Sequence, residues 1–533
     1  MQLDDWFLHP DERGNRATAI DTRRGDGLAW SEGNLALPIV HGAPYFRRLL
    51  GELRRLAPGG QVCFTDWRGD AGELLDDGGP TLAEVLAELA GRGVQVRGLL
   101  WRSHPARAHL NEEDNARLAE AVNRAGGEVL LDERVRATGS HHQKLVVLRH
   151  GGGDGDVAFV GGIDLCHGRR DDAGHRGDPQ PLALDPRYGE RPPWHDVQLE
   201  LRGPAVGDLH LTFAERWSDP TPLDHRTPLR RARRLARREP RHPQPLPAPP
   251  PDPGPAGPHA VQVLRTYPNK HPRLPFAPHG ERSIARAYAK AIARARSLIY
   301  VEDQYLWSVE VAEVLAGALR RQPELRLVAV VPRFPDQDGP VSGPPNRIGQ
   351  QAALDLVRAA GGERVAVYDV ESETGWPIYV HAKVCVVDDV WVAVGSDNLN
   401  LRSWTHDAEL TAAVLDATLD GREPADPAGL GDGARRFPRE LRLALWREHL
   451  GRAEGDDADL VDPVQGFQAW REAATALDAW HRAGGRGPRP PGRAAAHHPG
   501  RVRPWAAWWA WPLYRTLIDP DGRPLSLRRS GHF

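Results

Sequence analysis

A chain of 533 residues, 40% of them apolar, is long enough for two or more globular domains. Its 69 basic and 72 acidic groups nearly cancel, so no global field drives it toward nucleic acid. Three widely separated cysteines, Cys63, Cys166 and Cys385, do not look like a disulfide framework and point to a reducing compartment or to simple avoidance of cysteine.

The opening stretch, "MQLDDWFLHPDERGNR", is acidic where a secretory leader needs a basic and then an apolar region. No uncharged apolar run reaches the roughly 18 residues of a membrane span. A cytoplasmic protein, peripheral to the membrane at most, is expected. The first regular elements are a strand at 62–67, a helix at 81–93, a strand at 94–101, a helix near 111–125 and a short strand, "GEVLLDE". The stretch "SHHQKLVVLRHGGGDGDVAFVGGID" follows, then a polar insertion at about 166–194 and an alternating segment, "WHDVQLELRG". Residues 226–259, basic and then proline-rich, cannot build a core and read as a semi-rigid linker. Beyond it the order repeats: a strand at 298–307, a helix at 309–322, a strand at 325–332, a helix near 346–360, "ERVAVYDV", and "VHAKVCVVDDVWVAVGSDN". The expected division is 1–225, linker 226–259, 260–452, and an Arg-, Pro- and Trp-rich extension 453–533. The repeated βαβα order predicts an α/β fold whose sheet is covered by helices in each half.

Basic residues are almost all arginine; the only lysines are Lys144, Lys270, Lys290 and Lys383. Two of the four follow a histidine by two places, as His142-x-Lys144 and His381-x-Lys383, and strand parity puts each pair on one face. His141 points the other way. The small pairs Gly161-Gly162 and Gly395-Ser396 end the next strands, where backbone N–H groups could approach an anion, with Asp164 and Asn398 two positions on. Duplicated imidazoles and ammonium groups suit one phosphate site, with one histidine attacking phosphorus and the other protonating the leaving oxygen. A reacting imidazole needs its far nitrogen held, and Asp196 and Glu409 are candidates. Glu302 and Gln304 in "VEDQY" could line the cleft, or serve packing and capping. A metal site drawing on His141, His142, His167 and His175 lacks compact ligand spacing, so no metal or cofactor is expected.

Together with "FVGGIDLCHGRRD", "PWHDVQLELRGPA" and "GSDNLNLRSW", these motifs resemble the phospholipase D superfamily, whose signature is a repeated H-x-K-x(4)-D with a downstream G-[GS]. The likeness is greatest to its phosphatidylcholine-cleaving branch. It implies two α/β/α sandwich halves packed as a pseudo-dimer around one site, a phospholipid substrate and no metal. It further implies His142 as nucleophile and His381 as general acid then base. Lys144, Lys383 and Asn398 would hold phosphate oxygens, and Asp196 and Glu409 would orient the histidines. Alternatives are a cardiolipin-synthase-like phosphatidyltransferase, or a weakly active relative that binds anionic lipid or nucleic acid. A monomer is expected. The arginines of 230–238 suit a solvated helix or anionic lipid better than nucleic acid. Trp505, Trp508, Trp509 and Trp511 suit a membrane interface, although packing onto the body is slightly preferred.

The first motif departs from the signature, because Arg149 stands where Asp388 stands in the second. Parity places both positions opposite the reacting pair, so Asp388 should support the strand end. Asp154 or Asp156 could substitute for the missing carboxylate, and exchanging Arg149 for aspartate should matter little.

Overall fold

Valine- and leucine-rich runs become strands of one continuous sheet because helices cover both of its faces. The computed structural model describes all residues except 104–110, 152–154, 224–231, 233–234, 236–239, 337–342 and 531. The N-terminal half contributes β1 (Ser31–Val40), β2 (Gln61–Asp66), β3 (Gln95–Trp101), β4 (Glu128–Asp132), β5 (Leu145–Arg149), β6 (Val157–Gly161), β7 (Trp194–His195) and β8 (Val197–Arg202). The C-terminal half contributes β9 (His259–Tyr267), β10 (Glu281–Arg282), β11 (Leu298–Glu302), β12 (Arg326–Val330), β13 (Val365–Val370), β14 (Tyr379–Val380), β15 (Val384–Val387), β16 (Trp391–Gly395), β17 (Glu409–Asp416) and β18 (Ala494–Ala496).

The sheet order is β4-β3-β2-β5-β6-β8-β1 and then β9-β17-β16-β15-β11-β12-β13, so each side of the β1–β9 seam mirrors the other. In each half the three outer strands are parallel and joined through helices, and the strands nearer the seam are antiparallel. β18 closes the β13 edge, which would otherwise present unpaired backbone groups. β7 and β14 form a separate parallel pair that bridges the halves.

Alternation along the strands sorts the core into layers. Leu145 and Val147 of β5 and Val392 and Val394 of β16 enter one shared core, which also takes Phe213 of helix Ala205–Trp217 and Trp446 of helix Arg436–Leu450. On the opposite faces the halves keep separate cores, one under helices Gly42–Arg54, Leu82–Gly91 and Glu112–Arg124, the other under Ser283–Arg294, Val309–Arg321 and Gly343–Gly361. The three cysteines are buried and free.

Three segments differ from the sequence-based expectation. The seam strands β1 and β9 were not predicted, and β9 begins on the last residue assigned to the linker. The proline-rich strap is tied down: Trp217 Nε1 donates to Gln244 O (2.7 Å) and Arg23 to Asp252 Oδ1 (2.8 Å). The extension also folds, with a 20-residue helix at Pro463–Arg482 and a second at Pro504–Leu513. That last helix packs through Ala506 and Ala510, yet Trp508 is 86% exposed and Trp505 67%. Small residues face the body and Trp505, Trp508 and Trp511 face out, contrary to the packing preference, while Trp509 is half-buried. The arginines of 230–238 lie outside the described residues. No helix among the described residues is long and apolar enough to cross a membrane.

The two departing positions solve different problems. Asp388 accepts from the backbone N–H groups of Arg296, Ser297 and Leu298 and so holds the entry to β11. Arg149 is buried at the end of β5, donates to Asp156 Oδ2 (2.6 Å) and reaches the carbonyls of Pro250 and Pro251. Asp156 therefore partners the arginine instead of replacing the aspartate, and Asp154 lies outside the described residues. The expectation that Arg149→Asp matters little is overturned, because the change buries two carboxylates together and frees two carbonyls. Removing one partner of a buried pair costs about 3–5 kcal/mol. Arg149→Asp should lose about that much stability in denaturant unfolding, whereas Arg149→Met should lose less.

Candidate active site

The two His-x-Lys segments meet where the halves face each other, and each is held by the other half. His142 N–H donates to Ala408 O (2.9 Å), placing the histidine beside the next residue, Glu409. Its Nδ1 lies 3.0 and 3.1 Å from the two Glu409 carboxylate oxygens. The mirror arrangement holds His381: its N–H donates to His195 O (2.8 Å), and its Nδ1 lies 2.7 Å from Oδ2 of the next residue, Asp196. Both carboxylates are fully buried. The sequence nominated both residues as orienters; the structure adds that they cross over. Each far ring nitrogen is thereby left for chemistry.

Glu409 also accepts from Ser396 Oγ (2.6 Å) and Ser403 Oγ (2.8 Å), whereas Asp196 accepts from its own neighbour, Val197 N (2.9 Å). Lys144 Nζ donates to His142 O (3.0 Å) and pairs with Asp164 Oδ1 (3.1 Å). Lys383 Nζ donates to His381 O and to Gln304 Oε1 (3.3 Å). Gln304 donates in turn to Tyr379 Oη (2.8 Å). Burial lowers the Lys383 ammonium to about 8. Burial, Lys383 and Arg169 together hold the His381 imidazole well below the usual histidine range.

Several expected phosphate contacts serve other ends. The Gly162 and Ser396 N–H groups donate to Val197 O (3.0 Å) and Leu410 O (2.9 Å), so neither is free for an anion. The small residues instead allow close passage: a Cβ on Gly162 would lie 2.0 Å from Asp196 Oδ1, one on Gly161 2.4 Å from Gln198 Oε1, and one on Gly395 2.1 Å from Thr411 Oγ1. Asp164 is a negative group lodged between Lys144 and Arg169 (3.3 Å), which suits charge balance better than phosphate binding. Glu302 is buried away from the cleft, accepting from His195 Nε2 (2.8 Å), His449 Nε2 (2.8 Å) and Tyr300 Oη. Asn398 is buried beside the site, and its Oδ1 has no partner. His141 sits 3.3 Å from Asp132 and is lowered to about 3 by burial and Arg216.

Sequence reasoning missed four contributors. Asp66 ends β2 and Asp303 directly follows β11; they accept from Leu165 N (3.0 Å) and Leu399 N (2.8 Å), fixing the turns that carry Asp164 and Asn398. Arg169 stacks 3.9 Å above the Trp194 ring, and Trp194 lies 4.9 Å from the His381 ring. The polar strand ends were the available signal for the aspartates, but Glu302 and Gln304 drew attention from Asp303. Nothing in the local pattern distinguishes Arg169 within the insertion.

Comparison with known proteins matches residues 73–242 to the family described as Phospholipase D and residues 288–421 to Cardiolipin synthase, PLD-like domain. Phospholipase D alpha 1 of Vigna unguiculata is 26% identical over 70% of this chain and 59% of its own length. Phospholipase D alpha 1 of Nicotiana tabacum is 27% identical over 76% and 60%. The chain thus spans about three fifths of these relatives. Phosphatidylserine synthase of Haemophilus influenzae superposes with a TM-score of 0.48 at 13% identity, covering 72% of this chain and 82% of that one.

The crossed carboxylates make a direct prediction. Asp196→Asn and Glu409→Gln keep the shape but can turn an amide N–H toward Nδ1, and each should lower kcat at least ~100-fold. Gly162→Ala should lower kcat by displacing Asp196. Steady-state kinetics with unchanged far-UV circular dichroism would check this, and normal turnover by either carboxamide variant would break the link.

Proposed function

The chain belongs to the phospholipase D superfamily, and from that premise we propose that it cleaves phospholipid phosphodiesters through a covalent phosphohistidine. The observation that carries this reading is the pair of imidazoles, each with Nδ1 on a buried carboxylate of the opposite half. His142 is the nucleophile, its side chain being 15% exposed against 5% for His381. Its Nε2 attacks phosphorus, the bond to the head-group oxygen breaks, and His381 gives that oxygen a proton. Water or a primary alcohol then returns a proton to His381 as its oxygen attacks phosphorus and the P–N bond breaks. Lys144, Lys383 and Asn398 stabilise the phosphate oxygens.

His381 needs a proton to act as an acid, yet the free protein holds it neutral. The cations that depress it, Lys383, Arg169 and Lys144, are those a bound phosphate would offset. Substrate binding therefore raises the basicity of His381 when the proton is required. The outward tryptophans Trp505 and Trp508 supply contact with the lipid surface.

Incubation with phosphatidylcholine and butan-1-ol should yield phosphatidylbutanol, and His142→Ala should abolish it. Phosphate trapped on His381 instead of His142 would reverse the roles, and no product from any phospholipid would end the enzyme reading. The match of 288–421 to a cardiolipin synthase domain favours a second reading, transfer to the hydroxyl of another lipid. Supplying phosphatidylglycerol as acceptor separates the two by product.

The pH dependence follows from Lys383, whose ammonium is charged below about 8 and neutral above it. kcat/KM should accordingly fall as pH rises through about 8. A flat profile to pH 10, with the protein still folded, would remove Lys383 from the phosphate site.

A further inference from the structure

Behind His381 lies a buried cluster that the reaction does not use. His41 Nε2 is 2.8 Å from Glu448 Oε2, while His175 Nε2 and His195 Nδ1 are 3.0 and 3.2 Å from Glu448 Oε1. The ring centroids are 5.0 Å apart for His41–His175, 5.1 Å for His41–His195 and 6.0 Å for His175–His195. Three imidazoles on one tetrahedral ion, with metal–nitrogen bonds of about 2.0–2.1 Å, have centroids about 5 Å apart.

Two further observations point the same way. His41 and His175 both adopt left-handed backbone, at φ 72° and 49°, a strain that non-glycine residues keep where the surroundings impose it and that clusters at ligand sites. Two outward ring nitrogens also meet carboxylates: His195 Nε2 donates to Glu302 Oε2 (2.8 Å), and His175 Nδ1 lies 3.7 Å from Asp171 Oδ2. A carboxylate behind an imidazole is how metal-ligating histidines are oriented, with the lone pair inward and the N–H outward, and two of the three rings have one; the outward Nδ1 of His41 meets no partner among the described residues.

We propose that His41, His175, His195 and Glu448 form a closed, structural site for a divalent transition-metal ion such as zinc. The nitrogen-rich donor set suits such an ion better than magnesium or calcium. The four ligands come from the turn before helix Gly42–Arg54, the 166–194 insertion, β7 and helix Arg436–Leu450 of the other half. The ion thus fastens insertion, first half and second half around β7, whose His195 immediately precedes Asp196. The proposal departs from the sequence-based expectation of no metal, which weighed His175 but set it beside His141, His142 and His167, because the ligands are spread from residue 41 to residue 448 and show no compact spacing.

The test uses the full chain, stripped with a chelator, dialysed against zinc and analysed by elemental mass spectrometry. About one zinc should be retained per chain, with a higher thermal midpoint than the stripped protein. Cobalt in place of zinc should give the visible bands of tetrahedral Co2+. His175→Ala and Glu448→Gln should lose the ion, whereas His142→Ala should keep it. Failure of the stripped wild-type chain to retain zinc, or retention by both cluster variants, would overturn the proposal and leave a hydrogen-bonded network only. Should the variants not fold, the wild-type zinc stoichiometry and cobalt spectrum still decide it.

Discussion

Everything in the site depends on one constraint: each histidine is oriented by a carboxylate it does not share a half with. A lone half would hold an imidazole with no partner for Nδ1, and its own carboxylate would be buried without its histidine. Either defect is costly, since a buried charge without a hydrogen-bonding partner is strongly disfavoured. The continuous β1–β9 seam and the β7–β14 pair meet this demand by fixing the register between halves. In both cases a backbone hydrogen bond to the residue before the carboxylate sets the distance, so side-chain rotation alone completes the contact.

The mirror symmetry is incomplete where the proposed chemistry needs two roles. Glu409 is held by two serine hydroxyls, while Asp196 lies in a field of cations with an aromatic wall of Trp194 beside its histidine. Burial raises the Asp196 carboxyl, with Lys383 and Arg169 opposing. Asp164 occupies the place that Asn398 holds in the other half, adding a negative charge that pairs directly with Lys144. Equivalent residues in unequal surroundings are how one scaffold separates an attacking base from a proton donor.

The sequence made legible what local spacing encodes. Two of four lysines beside histidines, strand parity and the repeated βαβα order picked out the two His-x-Lys segments that the fold brings together. What it could not encode locally was contact across 267 and 185 residues, so the crossing of Glu409 to His142 and of Asp196 to His381 was invisible. The glycines misled because two physical needs leave the same trace: close approach of an anion and close passage of a carboxylate both demand a missing Cβ. The seam strands escaped because "HAVQVLRTY" follows a proline-rich stretch and is interrupted by His, Gln and Arg, which here find buried partners.

Two of the few lysines now have a structural reason. Lys144 and Lys383 are both about 1% exposed, and each ammonium curls back onto the carbonyl of the histidine two places before it. A guanidinium is planar, longer and permanently charged, so it could neither fold back this tightly nor give up its proton. The arginines of the site stand instead where a fork is useful: Arg169 against Asp164 and the Trp194 face, Arg149 against Asp156 and two carbonyls. A compact ammonium also makes the charge of the site adjustable, since burial has brought Lys383 within reach of physiological pH. Phosphate binding would restore its charge and at the same time relieve the repulsion that keeps His381 neutral. On the proposed mechanism, lysine in place of arginine at two positions would couple holding the substrate to arming the acid.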